Sequence, residues 1–278
     1  MTHPALQSGR TAVITGAAMG IGLAAARRLA SFGMNVCMTD IDAEELSDAA
    51  EQVRAETGGS GVILQVAADV GDFGDMVALQ SEVQERFGAV SLLMNNAVTR
   101  LGGGAFAPHE NWVQALATNL QGVVNGVQAF APAMIRAAQP GVIVNVGSKQ
   151  GITTPPGNTA YNVAKAGVKA FTEGLQHELR NADGCKVSAH LLIPGWTTTG
   201  KREHKPGAWL PDQVVDRLLE ALEAGRFYIV CPDDEVSETM DKQRILWAAG
   251  DIVFDRPPLS RWHPDYQDAF AEFDPPLG

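Results

Sequence analysis

The sequence has few cysteines, no long apolar run and a deficit of positive charge. Its three cysteines, Cys37, Cys185 and Cys231, are widely separated and form no C-x-x-C pair, which argues against a disulfide framework and a zinc site, so no bound metal is expected. No segment is apolar for long enough to span a bilayer. The first ten residues lack the charged-then-apolar pattern of a secretion signal, so a cytoplasmic location is expected. The formal net charge of -11 disfavours binding to nucleic acid, which needs clustered positive charge.

Strand and helix patterns alternate along most of the chain. A chain of 278 residues can fold as one large α/β domain or as two small ones. From Thr11 to Cys231 the two patterns alternate with short connections and no linker, which predicts a parallel sheet covered by helices on both faces. We therefore expect one α/β domain over residues 1–232.

The last part of the chain has a different composition. From Pro232 it is first rich in Asp and Glu and then rich in Pro. Residues 233–278 are predicted to form an extension that packs on the same domain or on a neighbouring subunit. The reason is that they hold more large apolar side chains than a disordered tail would, namely Trp247, Phe254, Trp262, Tyr266, Phe270 and Phe273.

A glycine-rich turn follows the first predicted strand and opens the first predicted helix. Glycines let the backbone approach a diphosphate, and a helix start offers free N–H groups and the positive end of a dipole. A tight turn without a ligand is the alternative, but the order strand, turn, helix favours a nucleotide site. The candidate cofactor contacts in this turn are Gly16, Met19, Gly20, Ile21 and Gly22.

An acidic residue, Asp40, ends the second predicted strand. A carboxylate about twenty residues after the glycine turn suits hydrogen bonds to a ribose 2′-hydroxyl and repels a 2′-phosphate. No Lys or Arg stands beside it. Asp40 is alternatively an N-cap of the next helix, although Asp42 is better placed for that. The pattern favours NAD over NADP.

Tyr161 and Lys165 are four residues apart in a predicted helix and therefore share one face. An ammonium group stabilises a neighbouring phenolate, so such a tyrosine can exchange a proton nearer to neutral pH. Ser148 follows the apolar run 142–147, which is typical of a buried parallel strand, and ligands bind at the carboxyl ends of such strands. A cap of the following turn is the other interpretation of Ser148.

A long helix is predicted from about Pro108 to Ala138, with Asn119 in its middle as a solvent-facing or packing polar group. The helix of Tyr161 carries a second stripe of mostly small residues, which allow another element to approach closely. The stripe predicts contact with this domain's own sheet or with another subunit. The stripe comprises Val163, Gly167, Ala170 and Gly174.

Residues 197–213 are predicted to be irregular and basic. A solvated loop is favoured over a mobile lid above an anionic substrate. The basic residues are Lys201, Arg202, His204 and Lys205.

Several motifs stand in the order found in the short-chain dehydrogenase/reductase family. The turn Thr15-Gly16-x-x-x-Gly20-x-Gly22 resembles the family's TGxxxGxG cofactor loop, and Asp69-Val70 resembles its adenine-contacting pair. Asn95-Asn96-Ala97 is similar to NNAG, with Val98 in place of the glycine. Two further sets are similar to the Asn-Ser-Tyr-Lys tetrad and to the PGxxxT segment beside the nicotinamide: Asn119, Ser148, Tyr161 and Lys165, and Pro194, Gly195, Thr197 and Thr199.

The resemblance implies a Rossmann-type doubly wound parallel sheet of seven strands, ordered 3-2-1-4-5-6-7, in three α/β/α layers. It implies hydride transfer between NAD(H) and a secondary alcohol or ketone. Tyr161 would exchange the hydroxyl proton, and Lys165 would lower the pKa of Tyr161 and bind the nicotinamide ribose. Ser148 would hold the reacting oxygen, and Asn119 would hold a water of a proton relay.

The resemblance also implies cofactor contacts by Asn96 and assembly as a homodimer or homotetramer. Two other functions stay open. One is an NADP-dependent ketone reductase of the same family, and the other is a catalytically silent NAD(H)-binding sensor or scaffold.

Overall fold

The described part of the chain, residues 3–200 and 203–274 of the computed structural model, contains one parallel sheet of seven strands. Their order is β3-β2-β1-β4-β5-β6-β7, which confirms the predicted topology. The strands are β1 Thr11–Thr15, β2 Asn35–Asp40, β3 Ile63–Ala67, β4 Val90–Asn95, β5 Gly141–Val146, β6 Val187–Ile193 and β7 Tyr228–Val230.

Helices cover both faces of the sheet. They are α1 Gly20–Ser31, α2 Ala43–Thr57, α3 Phe73–Phe87, α4 His109–Leu116, α5 Gly122–Arg136, α6 Gln150–Thr153, α7 Thr159–Asn181, α8 Pro211–Glu223, α9 Glu238–Val253 and α10 Gln267–Ala271. Successive strand residues point to opposite faces, so Ala12 and Ile14 enter the core with α1, α2 and α8, whereas Val13 enters the core with α3, α5 and α7. Because every strand pairing is parallel, the carboxyl ends of all seven strands lie at one edge of the sheet. The candidate residues were expected at this edge.

The predicted helix from Pro108 to Ala138 is interrupted. A π-helical turn, Ala117–Gln121, separates α4 from α5. Such turns occur frequently at functional sites. Asn119 lies in this turn and is fully buried, so it does not face solvent.

The small-residue stripe on α7 does not pack on the sheet. A Cβ at Gly167 would lie 2.9 Å from the Leu120 side chain, so this glycine allows α7 to approach the π turn. Val163, Ala170 and Gly174 are exposed. The expectation of contact with the sheet is wrong for this face, because helix residues of the π turn occupy the space beside Gly167.

The extension has a small core of its own around Trp247. The Phe270 and Phe273 rings each lie edge-on at 5.3 Å from the Trp247 ring, and the Arg256 guanidinium stacks 3.9 Å from its centre. The indole N–H donates to Ser260 Oγ at 2.8 Å. Helix α9 packs against α6, which brings the extension to the edge of the sheet where the strands end.

Within residues 3–200 and 203–274, no helix is long and apolar enough to cross a membrane. The same residues contain no cluster of three His, Cys, Asp or Glu side chains that could hold a metal ion.

Candidate active site

The glycine turn between β1 and α1 is closely packed. Gly16 and Gly20 have φ angles of 64° and 58°, which side chains other than glycine rarely adopt. A Cβ at Gly22 would lie 2.2 Å from Gly16 O, so only glycine lets α1 begin directly on the turn. Met19 caps α1 without a side-chain hydrogen bond, so no capping side chain occupies the first-turn N–H groups, which are the groups that bind anions at helix starts. The turn thus fits a diphosphate.

The Asn-Asn-Ala segment after β4 holds this turn in place. Thr15 Oγ1 accepts hydrogen bonds from Asn96 N (2.9 Å) and Ala97 N (3.0 Å). Asn96 Nδ2 donates to Thr15 O (2.9 Å) and Gly16 O (3.0 Å). The amide of Asn96 therefore holds the glycine turn in its shape. Val98, which replaces the family's glycine, is half exposed and borders the cavity described below.

Asp40 lies beside the same turn. Its Oδ2 accepts a hydrogen bond from Ala18 N at 3.1 Å, and its Oδ1 accepts one from Ile41 N at 2.8 Å. Asp42 caps α2 by accepting from Glu44 N and Glu45 N, so the assignment of the cap to Asp42 is confirmed. Asp40 is left at the end of β2 with its carboxylate next to the glycine turn.

The pair Asp69-Val70 follows β3. Asp69 is exposed, and its Oδ1 accepts from Gly71 N at 2.8 Å. Val70 is buried against Gly122 of α5, where an added Cβ would lie 2.6 Å from Val70 Cγ2. Asn125 Nδ2 donates to Val70 O at 2.8 Å. The buried valine anchors the segment, and the aspartate remains at the surface.

Ser148, Tyr161 and Lys165 meet where β5 ends and α7 begins. Tyr161 is in the first turn of α7, and its hydroxyl is hydrogen-bonded to Ser148. Lys165 is 2% exposed, its Nζ donates to Val146 O at 2.8 Å, and Nζ lies 5.7 Å from the centre of the Tyr161 ring. Ser148 Oγ also accepts from Gln150 N at 3.2 Å, so Ser148 caps the turn as well.

The protonation of this group is set by burial and by two polar neighbours. Burial raises the pKa of Tyr161 above its usual value, and the Ser148 hydrogen bond and the charge of Arg100 offset only part of that rise. Burial lowers the pKa of Lys165 to about 8. The resemblance implies that Lys165 lowers the pKa of Tyr161, and that role stays a prediction.

Arg100 is a residue of the site that the sequence analysis did not identify. It borders the cavity on the segment after β4, and its guanidinium donates to Thr199 Oγ1. The available signal was a basic residue shortly after the Asn-Asn-Ala motif at a strand end.

Asn119 acts on the same segment. Its Oδ1 accepts from Thr99 N and its Nδ2 donates to Thr99 O, both at 3.0 Å. The side-chain amide thus makes the pair of hydrogen bonds to Thr99, the residue before Arg100, that a neighbouring β-strand would make. In this arrangement Asn119 fixes the backbone that carries Arg100.

The segment after β6 crosses the glycine turn. A Cβ at Gly20 would lie 3.0 Å from Thr199 Cβ, so the two segments are in contact. Thr197 pairs with Trp209 in a short parallel bridge, which pins a loop expected to be irregular. His204 and Lys205 are exposed, whereas Lys201 and Arg202 lie outside the described residues.

These segments enclose a cavity of about 900 Å³. Of the predicted site residues, those that border it are Ile21, Asn96, Ser148, Tyr161, Lys165, Pro194, Gly195, Thr197 and Thr199. The structure places the others around it: Gly16, Met19, Gly20, Gly22 and Asp40 at the glycine turn, Asp69 and Val70 after β3, and Asn119 in the π turn. The arrangement brings a glycine turn at a helix start and a buried phenol to the same cavity.

A family model and several known proteins match this chain. The model of the short chain dehydrogenase family matches residues 10–207. The oxidoreductase UcpA of Salmonella typhimurium is 33% identical over 254 residues, which cover 86% of this chain and 93% of that protein.

Two solved structures show the same fold. A short chain dehydrogenase/reductase from Burkholderia phymatum in complex with NAD has a TM-score of 0.82 and 31% identity, covering 90% of this chain and 96% of the other. A metagenomic short-chain oxidoreductase in complex with NADP has a TM-score of 0.67 and 29% identity, covering 82% and 97%. Both nicotinamide cofactors therefore occur among the relatives.

Proposed function

The chain belongs to the short-chain dehydrogenase family of oxidoreductases, and on that basis we propose that it transfers hydride between NAD(H) and a secondary alcohol or ketone, acting on the CH–OH group of the donor. The observation that carries the proposal is the Ser148–Tyr161 hydrogen bond above the buried Lys165, beside a glycine turn that fits a diphosphate. Residues 1–232 are the proposed catalytic domain, and residues 233–278 are the extension.

NAD is the proposed cofactor because Asp40 points its carboxylate at the glycine turn. Such a carboxylate accepts hydrogen bonds from a ribose 2′-hydroxyl and repels a 2′-phosphate. The diphosphate would lie on Gly16, Met19, Gly20, Ile21 and Gly22, with Asn96 behind them. The adenine would lie near Asp69 and Val70, and the nicotinamide end would lie near Lys165, Pro194, Gly195, Thr197 and Thr199. The bound cofactor supplies the hydride acceptor or donor.

The proposed proton chemistry belongs to Tyr161. Its phenolate takes the hydroxyl proton of the alcohol during oxidation, and its hydroxyl returns that proton to the ketone oxygen during reduction. Ser148 donates a hydrogen bond to the reacting oxygen, where negative charge develops. The positive end of the α7 dipole and the Arg100 charge both stabilise the phenolate. Asn119 keeps the Arg100 segment in place, beside its proposed role in holding a relay water.

The direct test is Tyr161→Phe, assayed with NAD on a chemically varied panel of secondary alcohols that includes carboxylated ones. We expect kcat to fall by at least about a thousandfold, since the acid/base group is lost, while NADH binding measured by fluorescence stays within twofold. Tyr266→Phe, in the extension, is the matched control and should retain kcat. Retained activity in Tyr161→Phe refutes the mechanism. A wild-type protein that binds NADH tightly but oxidises nothing on the panel would instead be a sensor or scaffold.

Cofactor preference is tested separately from chemistry. We expect kcat/KM with NAD to exceed that with NADP by at least about tenfold, because Asp40 repels the 2′-phosphate. Asp40→Ala should reduce the ratio mainly by lowering kcat/KM with NAD. A wild-type preference for NADP would favour the ketone reductase instead.

A further inference from the structure

A cluster of three charged side chains lies at the wall of the cavity: Lys149 borders the cavity, and two buried carboxylates bind its ammonium group. Lys149, the residue directly after Ser148, places Nζ 3.2 Å from Asp233 Oδ2 and 2.7 Å from Asp241 Oδ2. The Asp233 and Asp241 side chains are only 3% and 6% exposed. Carboxylates that are this deeply buried keep a fixed distance to their partner, because a buried charge without an opposite charge beside it is strongly destabilising.

Asp233 connects the cluster to the segment after β6. Its Oδ2 also accepts a hydrogen bond from Trp196 N at 3.0 Å, and its Oδ1 accepts from Val236 N at 2.8 Å. A Cβ at Gly195 would lie 2.4 Å from Asp233 Oδ2 and 2.8 Å from Lys149 Nζ, so the cluster fits only beside a glycine. This gives the glycine of the PGxxxT-like segment a specific role in this chain.

Lys149 connects the cluster to the segment after β5. Its backbone N–H donates to Pro194 O at 3.3 Å, and its carbonyl accepts from Ile152 N and Thr153 N in α6. Asp241 belongs to the first turn of α9, in the extension. Three parts of the chain thus meet at one ammonium group: the Ser148 segment, the segment after β6 and the extension.

We propose that Lys149 is a positioning residue for the reaction and that Asp241, from the extension, holds it in place. Lys149 sets the position of Ser148 opposite Tyr161, and through Asp233 it sets the backbone at Gly195 and Trp196. The inference rests on the proposed function, and it makes the extension part of the active site. Positioning matters because a displacement of about 1 Å near the reacting atoms can lower a rate by roughly a hundredfold.

The experiment uses the full-length protein and compares Asp241→Asn, Lys149→Met and their double variant with wild type. We expect Asp241→Asn to lower kcat about tenfold or more, with the Kd for NADH within twofold. Asp241→Glu should restore part of the loss. Because Asp241 acts through Lys149, the double variant should be no slower than Lys149→Met.

The matched control is Asp251→Asn, the same substitution on the same helix. Asp251 binds Arg256 and Ser260 inside the extension and does not contact Lys149. It should lower thermal stability and leave kcat within twofold. If Asp241→Asn and Asp251→Asn affect kcat, NADH binding and stability alike, the cluster is merely structural and the proposal is wrong.

A spectroscopic readout makes the test independent of turnover. In the part of the chain that the structure describes, the groups that act on Tyr161 are the Ser148 hydroxyl, the Arg100 guanidinium and Lys165 Nζ, and Glu203 and Lys205 border the same cavity. If Ser148 moves, its hydrogen bond no longer lowers the Tyr161 pKa. The phenolate absorbance of Tyr161 is identified as the part of the titration that Tyr161→Phe lacks. This absorbance should appear at higher pH in Asp241→Asn than in wild type. An unchanged titration overturns the proposal even when the wild type has no activity. If Lys149→Met fails to fold, Asp241→Asn carries the test alone.

Discussion

At the scale of single residues, Lys165 is a group whose burial opposes folding. Its pKa is about 8 in the folded chain against an ordinary 10.5, so below about pH 8 the folded state carries the whole cost of desolvating the ammonium, of the order of 3 kcal/mol. Between pH 8 and 10.5 the unfolded chain binds the proton and the folded chain does not, so the free energy of unfolding rises with pH.

We therefore predict that Lys165→Met stabilises the cofactor-free protein at pH 7 while abolishing turnover. The gain should be about 1–2 kcal/mol, because the lost hydrogen bond to Val146 O offsets part of it. It should shrink toward pH 10, where less of the cost remains. Urea unfolding at the two pH values measures this, with Lys169→Met, at a partly exposed position of the same helix, as control. A destabilised Lys165→Met at pH 7 would contradict the prediction.

At the scale of elements, the contact between α1 and the glycine turn requires a residue without a Cβ at position 22. Gly22 lies within α1, where alanine is ordinarily better than glycine by about 1 kcal/mol. Here the added Cβ would meet Gly16 O at 2.2 Å and Asn96 Nδ2 at 2.7 Å. Gly174, within α7, has open space around the same position.

The two glycines therefore respond with opposite signs. We predict that Gly22→Ala lowers the free energy of unfolding by about 1–3 kcal/mol, as overpacking does, and weakens NADH binding at least tenfold. Gly174→Ala should raise the free energy of unfolding by up to about 1 kcal/mol and leave NADH binding unchanged. Equal effects of the two substitutions, measured by urea unfolding and NADH titration, would refute the close contact.

At the scale of the whole molecule, exposed apolar side chains favour self-association. Val113 on α4 and Val163 on α7 are about half exposed, and Phe106, shortly before α4, is fully exposed. We propose a homodimer or homotetramer that covers such residues. Light scattering should give two or four times the 29.5 kDa chain mass. A monomer at micromolar concentration would refute it.

Periodicity and local signals in the sequence were enough to predict the alternation of strands and helices, whereas the strand order of the sheet came from the family resemblance. Helix α2 begins after the Asp42 cap and ends before the glycines at 58 and 59, which are signals that act over only a few residues. The glycine turn, Asp40 and the spacing of Tyr161 and Lys165 are equally local, so the site could be placed at the carboxyl edge of the sheet before its geometry was known.

Only the tertiary structure decided which distant residues meet. The π turn brings Asn119 to Thr99, Arg100 reaches Thr199, and Lys149 pairs with carboxylates of Asp233 and Asp241, more than eighty residues away. No period or motif encodes these contacts, because each depends on the distance between chain segments after the sheet has formed. The sequence by itself determined a dehydrogenase fold that carries the Tyr161 and Lys165 pair, and packing decided that the extension reaches the candidate active site.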